Sequence, residues 1–195
     1  MTRVVQTRVL GLAGWSGAGK TTLITKLIPL FKVRGLSVST LKHAHHTFDV
    51  DQPGKDSYVH REAGAAEVLV ASSNRWVKMH ELRGDPEPRL ATLLGHLSPV
   101  DLILVEGFKR EAHAKIEVHR TANGKPFLYP EDSHIRALAT DRLDPQPPLP
   151  SAHLDDTGSI ADLIWTFALP LDQTLSRLLE HDLEKVHDVS SKTAR

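Results

Sequence analysis

Eight residues, Gly14-Trp15-Ser16-Gly17-Ala18-Gly19-Lys20-Thr21, fit the pattern G-x-x-x-x-G-K-[ST] without a mismatch. Each part of that pattern has a chemical reason. The glycines let the backbone turn tightly, so successive amide N–H groups point inward at anionic oxygens. A helix that starts where the loop ends adds the positive end of its dipole. Lys20 would then reach the β and γ phosphates of a nucleoside triphosphate, Thr21 would offer a hydroxyl to Mg²⁺, and Thr22 would contact the α phosphate. A glycine-rich turn can match by chance, so the setting matters. Here an apolar run, Val9 to Ala13, precedes the loop as a buried strand. Lys20 to Arg34 follows it with Leu23, Leu27, Leu30 and Phe31 at helical spacing.

Three further segments carry groups such a loop would need. Asp101-Leu-Ile-Leu-Val-Glu106-Gly107 reads as a buried strand ending in a carboxylate, which is where a P-loop enzyme places its acid near Mg²⁺. Glu106 is thus a candidate metal and catalytic residue, Gly107 could approach the γ phosphate, and Asp101 reads as a turn residue. The loop Lys42 to Asp51 holds three histidines and two aspartates. Asp49 or Asp51 could orient water or join the Mg²⁺ shell, Lys42 and His43 could contact phosphate, and the histidines could instead hold Zn²⁺ or Ni²⁺. A solvated loop is the bland alternative. The guanine signature N-K-x-D is absent, but Asp141, after the apolar run Ile135 to Thr140, could accept hydrogen bonds from guanine N1 and N2. A strand-end turn explains the same residue equally well.

The elements that must position these groups alternate. A strand, glycine loop, helix and second strand (Leu36 to Leu41) make a βαβ unit and favour a parallel sheet. Gly35 stops the first helix, and Pro29 should loosen its last turn. A short helix is expected over Ser57 to Ala63, a hairpin over Glu67 to Ser72 and Arg75 to Met79, and a helix over Pro86 to Leu97. Strands follow at Leu102 to Val105, Lys115 to His119 and Ile135 to Thr140. Asp144 to Pro150, with four prolines, is a stiff connector. A helix over Ser159 to Leu169 ends at Pro170. Leu171, Leu175, Leu178, Leu179, Leu183 and Val186 then mark an amphipathic tail helix whose last eight residues should fray. The expected fold is α/β, a three-layer P-loop NTPase fold with a mainly parallel sheet flanked by helices and a C-terminal helical extension. Residues 1–169 form the nucleotide-binding domain and residues 170–195 the tail.

The bulk composition narrows the function classes. The chain has 195 residues, 40% of them apolar, which suits one core-forming domain with an appendage. Lys plus Arg total 24 and Asp plus Glu total 24, so bulk charge gives no reason to expect nucleic-acid or membrane-surface binding. There is no cysteine, which excludes disulfides, thiolate chemistry and cysteine-ligated zinc. With no apolar run long enough for a signal peptide or a bilayer span, the expected location is the cytoplasm.

The stretches GWSGAGKTTL, LKHAHHTFDVDQPGKDSYVHREAGA, VLVAS, DLILVEGFK, KIEVHR and ALATD together resemble the MobB family of molybdopterin-guanine dinucleotide biosynthesis adapter proteins, in order and spacing, from about Arg8 to Leu169. The resemblance implies a homodimer that binds GTP, hydrolyses it slowly, and assists the guanylyltransferase MobA and molybdopterin-bearing proteins. It also implies nucleotide contacts from Gly14, Ser16, Gly17, Ala18, Gly19, Lys20, Thr21 and Thr22. The tail from Pro170 onward departs from the pattern. Two other readings stay open on the residues alone: a P-loop kinase of a small metabolite, and a metallochaperone GTPase using the histidine loop. Phosphoryl transfer is accelerated by positioned cations, and Arg110 and Arg120 are the arginines considered for that role. Lys109, Arg110, Lys115 and Arg120 could form an anion patch, although a charged strand face is the commoner arrangement.

Overall fold

The computed structural model describes residues 5–44, 48–143 and 145–193, the side chains of 186–193 excepted. Two compact units emerge, one made of residues 1–43 and 90–195 and the other of residues 44–89.

The larger unit is built on a sheet. β1 (Arg8–Ala13), β2 (Val38–Lys42), β5 (Leu102–Glu106), β6 (Lys115–His119), β7 (Ile135–Thr140) and β8 (Ser151–His153) lie in the order β2-β5-β1-β6-β7-β8, and all neighbours in that order run parallel. β9 (Leu169–Pro170) adds an antiparallel pairing to Arg8 and Val9. The central strands are apolar at nearly every position because helices cover both faces. On one face, Leu10, Leu12, Leu102 and Leu104 meet Leu23, Leu27 and Phe31 of α1 (Lys20–Val33) and Ile160 and Ile164 of α4 (Thr157–Phe167). On the other, Val9, Ile103 and Val105 meet Leu90 and Leu94 of α3 (Leu90–Leu94) and Leu178 of α5 (Leu171–Thr193). Successive strand side chains point to opposite faces, so the same strands serve both layers. The tail helix thus packs on the nucleotide domain's own sheet.

α1 continues through Pro29 to Val33, so the proline ends nothing. The stop comes at Gly35, whose φ of 77° suits glycine. Its N–H donates to Lys32 O (3.0 Å) and that of Leu36 to Phe31 O (3.0 Å). Asp101 ties β2 to β5: Oδ2 accepts from the Ser37 N–H (2.9 Å) and Oγ–H (2.8 Å).

Four expectations need correcting. The helix expected over Pro86 to Leu97 is helical only over Leu90–Leu94. Pro86 and Pro88 push the residues before them into extended backbone, so the helix starts beyond both. The short strands β8 and β9 carry no period-two apolar signal and were not expected. α5 reaches Thr193, so most of the segment expected to fray is helical. Finally, Lys115, Glu117 and His119 alternate with apolar residues as on a half-solvated strand, yet all five β6 residues are buried.

The smaller unit holds α2 (Asp56–Glu62) and the antiparallel hairpin β3 (Glu67–Ala71) and β4 (Trp76–His80). Val70 pairs with Val77 across the ladder, while Leu69 and Trp76 project to the opposite side. All four are exposed, Leu69 at 62% and Trp76 at 65%. No helix of the described residues is long and apolar enough to cross a membrane.

Asp156 caps α4, accepting the Ser159 N–H (2.9 Å) and Oγ–H (2.7 Å). The Ser159 N–H is the main reason its carboxyl titrates below the usual carboxylate range. A lowered native pKa stabilises the fold above the unfolded value and loses that effect as pH falls through the native value. Asp156→Ala should therefore lower the melting temperature at neutral pH, and the gap to the parent should close below about pH 3.8, read by thermal scans across pH.

Candidate nucleotide site

The glycine loop joins β1 to α1 at the carboxyl end of the sheet. Gly14 has φ 145°, and a Cβ there would sit 2.4 Å from Val118 O, a backbone atom that has nowhere to go. Gly17 (φ 79°) and Gly19 (φ 95°) take the left-handed turns that aim the loop amides inward. Segment 120–126 props the loop from outside. Asn123 Nδ2 donates to Ser16 O (3.2 Å) and Trp15 Nε1 to Pro126 O (2.8 Å). Arg120 brings its guanidinium to the loop as well, 3.6 Å from where a Gly19 Cβ would stand.

Lys20 Nζ donates to Gly14 O (2.8 Å) and Trp15 O (3.0 Å), folded over the start of its own loop. It is half-buried, and burial is the main cause of its lowered pKa. Glu106 opposes that shift, while Lys109 and Lys42 add to it. Thr21 Oγ1 donates to Glu106 Oε1 at 2.7 Å, and Lys42 Nζ stands 3.7 Å from the same oxygen. The hydroxyl and the carboxylate, 85 residues apart, meet because Leu12 of β1 is in register with Glu106 of β5. Just past Glu106 the backbone reverses sharply, with φ 95° at Gly107 and 49° at Phe108. A Cβ on Gly107 would lie 2.8 Å from His43 Cβ, and the His43 and Phe108 rings pack at 4.9 Å.

Asp141 follows β7, and its Oδ1 accepts the Thr121 N–H (2.8 Å) and Oγ–H (2.9 Å). Burial raises its pKa, but the two Thr121 bonds outweigh that and keep it lowered. Asp49 belongs to the smaller unit. There Arg61 gathers three carboxylates: Asp49 Oδ2 at 3.1 Å, Asp51 Oδ2 at 3.4 Å and Glu81 Oε1 at 3.1 Å. The Asp51 contact is an ion pair without hydrogen-bond alignment. The Asp51 N–H, and then Arg61, hold the Asp49 carboxyl below its usual range. Arg61 went unnoticed in the sequence because nothing local pairs it with residues 10 to 20 positions away. Of the histidine loop, His45, His46 and Thr47 lie outside the described residues.

Of the four residues weighed as an anion patch or a charged strand face, Lys115 fits neither. Lys115 is fully buried and spends its three N–H donors inside the fold, on Lys109 O (3.0 Å), Glu111 O (2.7 Å) and Asp132 Oδ2 (2.9 Å). Next to it His113 is fully buried against Gly11. Burial, with the Lys115 charge adding, pushes its pKa down to about 3, so it is neutral. Arg110 lines a cavity of about 330 Å³ with Lys109, Asp132, His134 and His181.

A sequence model described as molybdopterin guanine dinucleotide synthesis protein B, MobB, matches residues 9–141. The chain belongs to the MobB family. The molybdopterin-guanine dinucleotide biosynthesis adapter protein of Escherichia coli is 48% identical over 136 residues, 68% of this chain and 78% of that protein. The protein of that name from Haemophilus influenzae is 44% identical over 140 residues, 70% and 76% of the two chains. A crystal structure of molybdopterin-guanine biosynthesis protein B superposes with a TM-score of 0.64 at 26% identity, covering 81% of this chain and 98% of that one. The fold is therefore the P-loop NTPase fold of MobB proteins, and the chain is a MobB adapter protein of molybdopterin guanine dinucleotide biosynthesis. The family match ends at Asp141, short of α4 and α5.

Proposed function

We propose that this MobB protein is a GTP-binding adapter with slow GTPase activity that assists MobA in forming the guanine dinucleotide cofactor. The observation that carries the nucleotide part is the 2.7 Å bond from Thr21 Oγ1 to Glu106 Oε1 beneath the glycine loop. A hydroxyl and a carboxylate side by side are the oxygen ligands that suit Mg²⁺, a hard cation that keeps several waters. Thr21 and Glu106 would hold it, and bound Mg²⁺ would neutralise charge on the phosphate oxygens. The loop amides from Ser16 to Thr22 bind the phosphate chain, and Lys20 exchanges its two carbonyl partners for β- and γ-phosphate oxygens. In hydrolysis, water's oxygen bonds to the γ phosphorus as the bond to the β–γ bridging oxygen breaks, releasing GDP and phosphate. Asp49 remains the candidate to orient that water. Arg120, beside Gly19, is the arginine best placed in cis, and a slow reaction is consistent with its not being aimed until a partner binds.

The exposed Val70, Val77, Leu69 and Trp76 support a homodimer, since they put large apolar side chains of the hairpin in contact with solvent. A cytoplasmic location agrees with the cofactor chemistry and with the absence of cysteine.

Guanine selection rests on Asp141. Both Thr121 bonds use Oδ1, so Oδ2 is the oxygen that would accept from a guanine base. Calorimetry with Mg²⁺ should show GTP preferred over ATP. Asp141→Asn, which keeps an acceptor for Thr121 but presents N–H to guanine N1, should weaken GTP at least about tenfold and leave ATP unchanged, the loss expected when hydrogen bonds to a charged acceptor are removed. Equal affinity for the two nucleotides in the parent chain would remove the guanine assignment.

A further inference from the structure

We infer that Lys109 is a terminal-phosphate sensor: its ammonium, which stands over the Trp15 ring, moves to the γ phosphate of a bound triphosphate. This rests on the nucleotide reading above and names what distinguishes triphosphate from diphosphate at that site.

Lys109 Nζ lies 5.1 Å from the Trp15 ring centroid, with Lys125 Nζ at 5.9 Å from the same ring. Trp15 is the second residue of the loop, and its carbonyl accepts Lys20 Nζ. Lys109 therefore stands at the end of the loop where the Lys20 ammonium lies. The two charges interact, since Lys109 helps depress the Lys20 pKa after burial has done most of it. Lys42 Nζ stands 3.7 Å from Glu106 Oε1, and the charges of Glu106, Lys42 and Lys109 all act on the Lys20 ammonium. That corner carries an excess of positive charge suited to a polyanion.

The backbone makes the side chain the moving part. Gly107 and Phe108 turn the chain back immediately after Glu106, so Lys109 returns toward the loop and does not run on with the strand. Lys115 then pins the turn by bonding Lys109 O and Glu111 O, and the Glu111 N–H closes on Phe108 O at 3.0 Å. An exposed contact between an ammonium and an indole is weak enough to be exchanged for a charge-assisted bond to phosphate. Lys109 is the better candidate of the two lysines on the ring, because it follows Glu106 by three residues and its charge reaches Lys20.

The test compares GTP with GDP on the full chain by calorimetry. Lys109→Gln should weaken a non-hydrolysable GTP analogue by about 10- to 100-fold, the loss of one charge-assisted hydrogen bond. GDP affinity should stay within about twofold. Arg110→Gln removes the same charge next door and should change the GTP-to-GDP ratio by less than about threefold. In a Trp76→Phe, Trp165→Phe background, Trp15 emission should shift with the GTP analogue but not with GDP, and Lys109→Gln should abolish the difference. Equal losses for GTP and GDP, or an Arg110→Gln effect as large as that of Lys109→Gln, would overturn the sensor and leave nucleotide binding standing. No GTP binding by the parent chain would overturn the nucleotide reading and the sensor with it.

Discussion

Lys20→Ala should reduce Mg²⁺-GTP affinity by a factor of several hundred or more. Two charge-assisted hydrogen bonds to β and γ oxygens are each worth about 1.5–3 kcal/mol, so losing both is about 3–6 kcal/mol. Part of that is offset because Lys20 must first release Gly14 O and Trp15 O, bonds that the alanine variant never has. The folded chain should not suffer in proportion, since the variant also removes a half-buried ammonium whose burial opposes its charge. Glu106→Gln separates the metal from the loop. It preserves shape and the acceptor for Thr21 Oγ1 but loses the charge. Its GTP affinity in chelator should match the parent's, while the gain on adding Mg²⁺ should largely vanish. Titrations with and without chelator on the three proteins check both statements, and a Lys20→Ala chain that binds GTP as the parent does would end the P-loop assignment.

The sequence was most legible where local geometry dictates residue type. The P-loop needs its glycines and its lysine at fixed spacing, so the loop, β1 and α1 could be read directly, as could Glu106 at the end of an apolar strand. Contacts set by tertiary approach were harder to see. Nothing in Trp15 announces Pro126 as its acceptor, and Arg61 meets Asp49, Asp51 and Glu81 only through folding of the smaller unit. β6 is the instructive case. The alternation of Lys115, Ile116, Glu117, Val118 and His119 specifies a strand correctly and its environment wrongly. A polar face normally means solvent, but here segment 125–134 covers it and matches each group. Glu117 accepts the Leu128 and Tyr129 N–H groups (2.8 and 3.0 Å), and His119 Nε2 meets Lys125 O at 3.1 Å. Period two encodes which residues share a face, and the partner of that face lies elsewhere in the chain.

Lys115→Met should therefore be among the most destabilising single substitutions outside the apolar core, at about 3 kcal/mol by denaturant unfolding. Methionine matches the stem but leaves two carbonyls and the Asp132 carboxylate without their donor. Removing one partner of a buried pair costs about 3–5 kcal/mol, and the lower end applies because Asp132 is only partly shielded and keeps its His134 bonds. Burial lowers the Lys115 pKa, with Asp132 opposing that shift. For Asp132, burial works upward but is outweighed by Lys115 and His134, which hold its carboxyl below the usual range. The Asp132 shift favours the charged carboxylate, whereas the Lys115 shift records the cost of burying its ammonium. Asp132→Asn should cost less than Lys115→Met, since the amide still accepts from the ammonium. The double variant should cost clearly less than the two single losses added together, because the second substitution removes a charge the first had already orphaned. Additive losses would show that Lys115 stabilises through its two carbonyls alone. Because those carbonyls belong to Lys109 and Glu111, Lys115→Met should also blunt discrimination between GTP and GDP in the fraction that remains folded, linking the buried face of β6 to the phosphate end of the site.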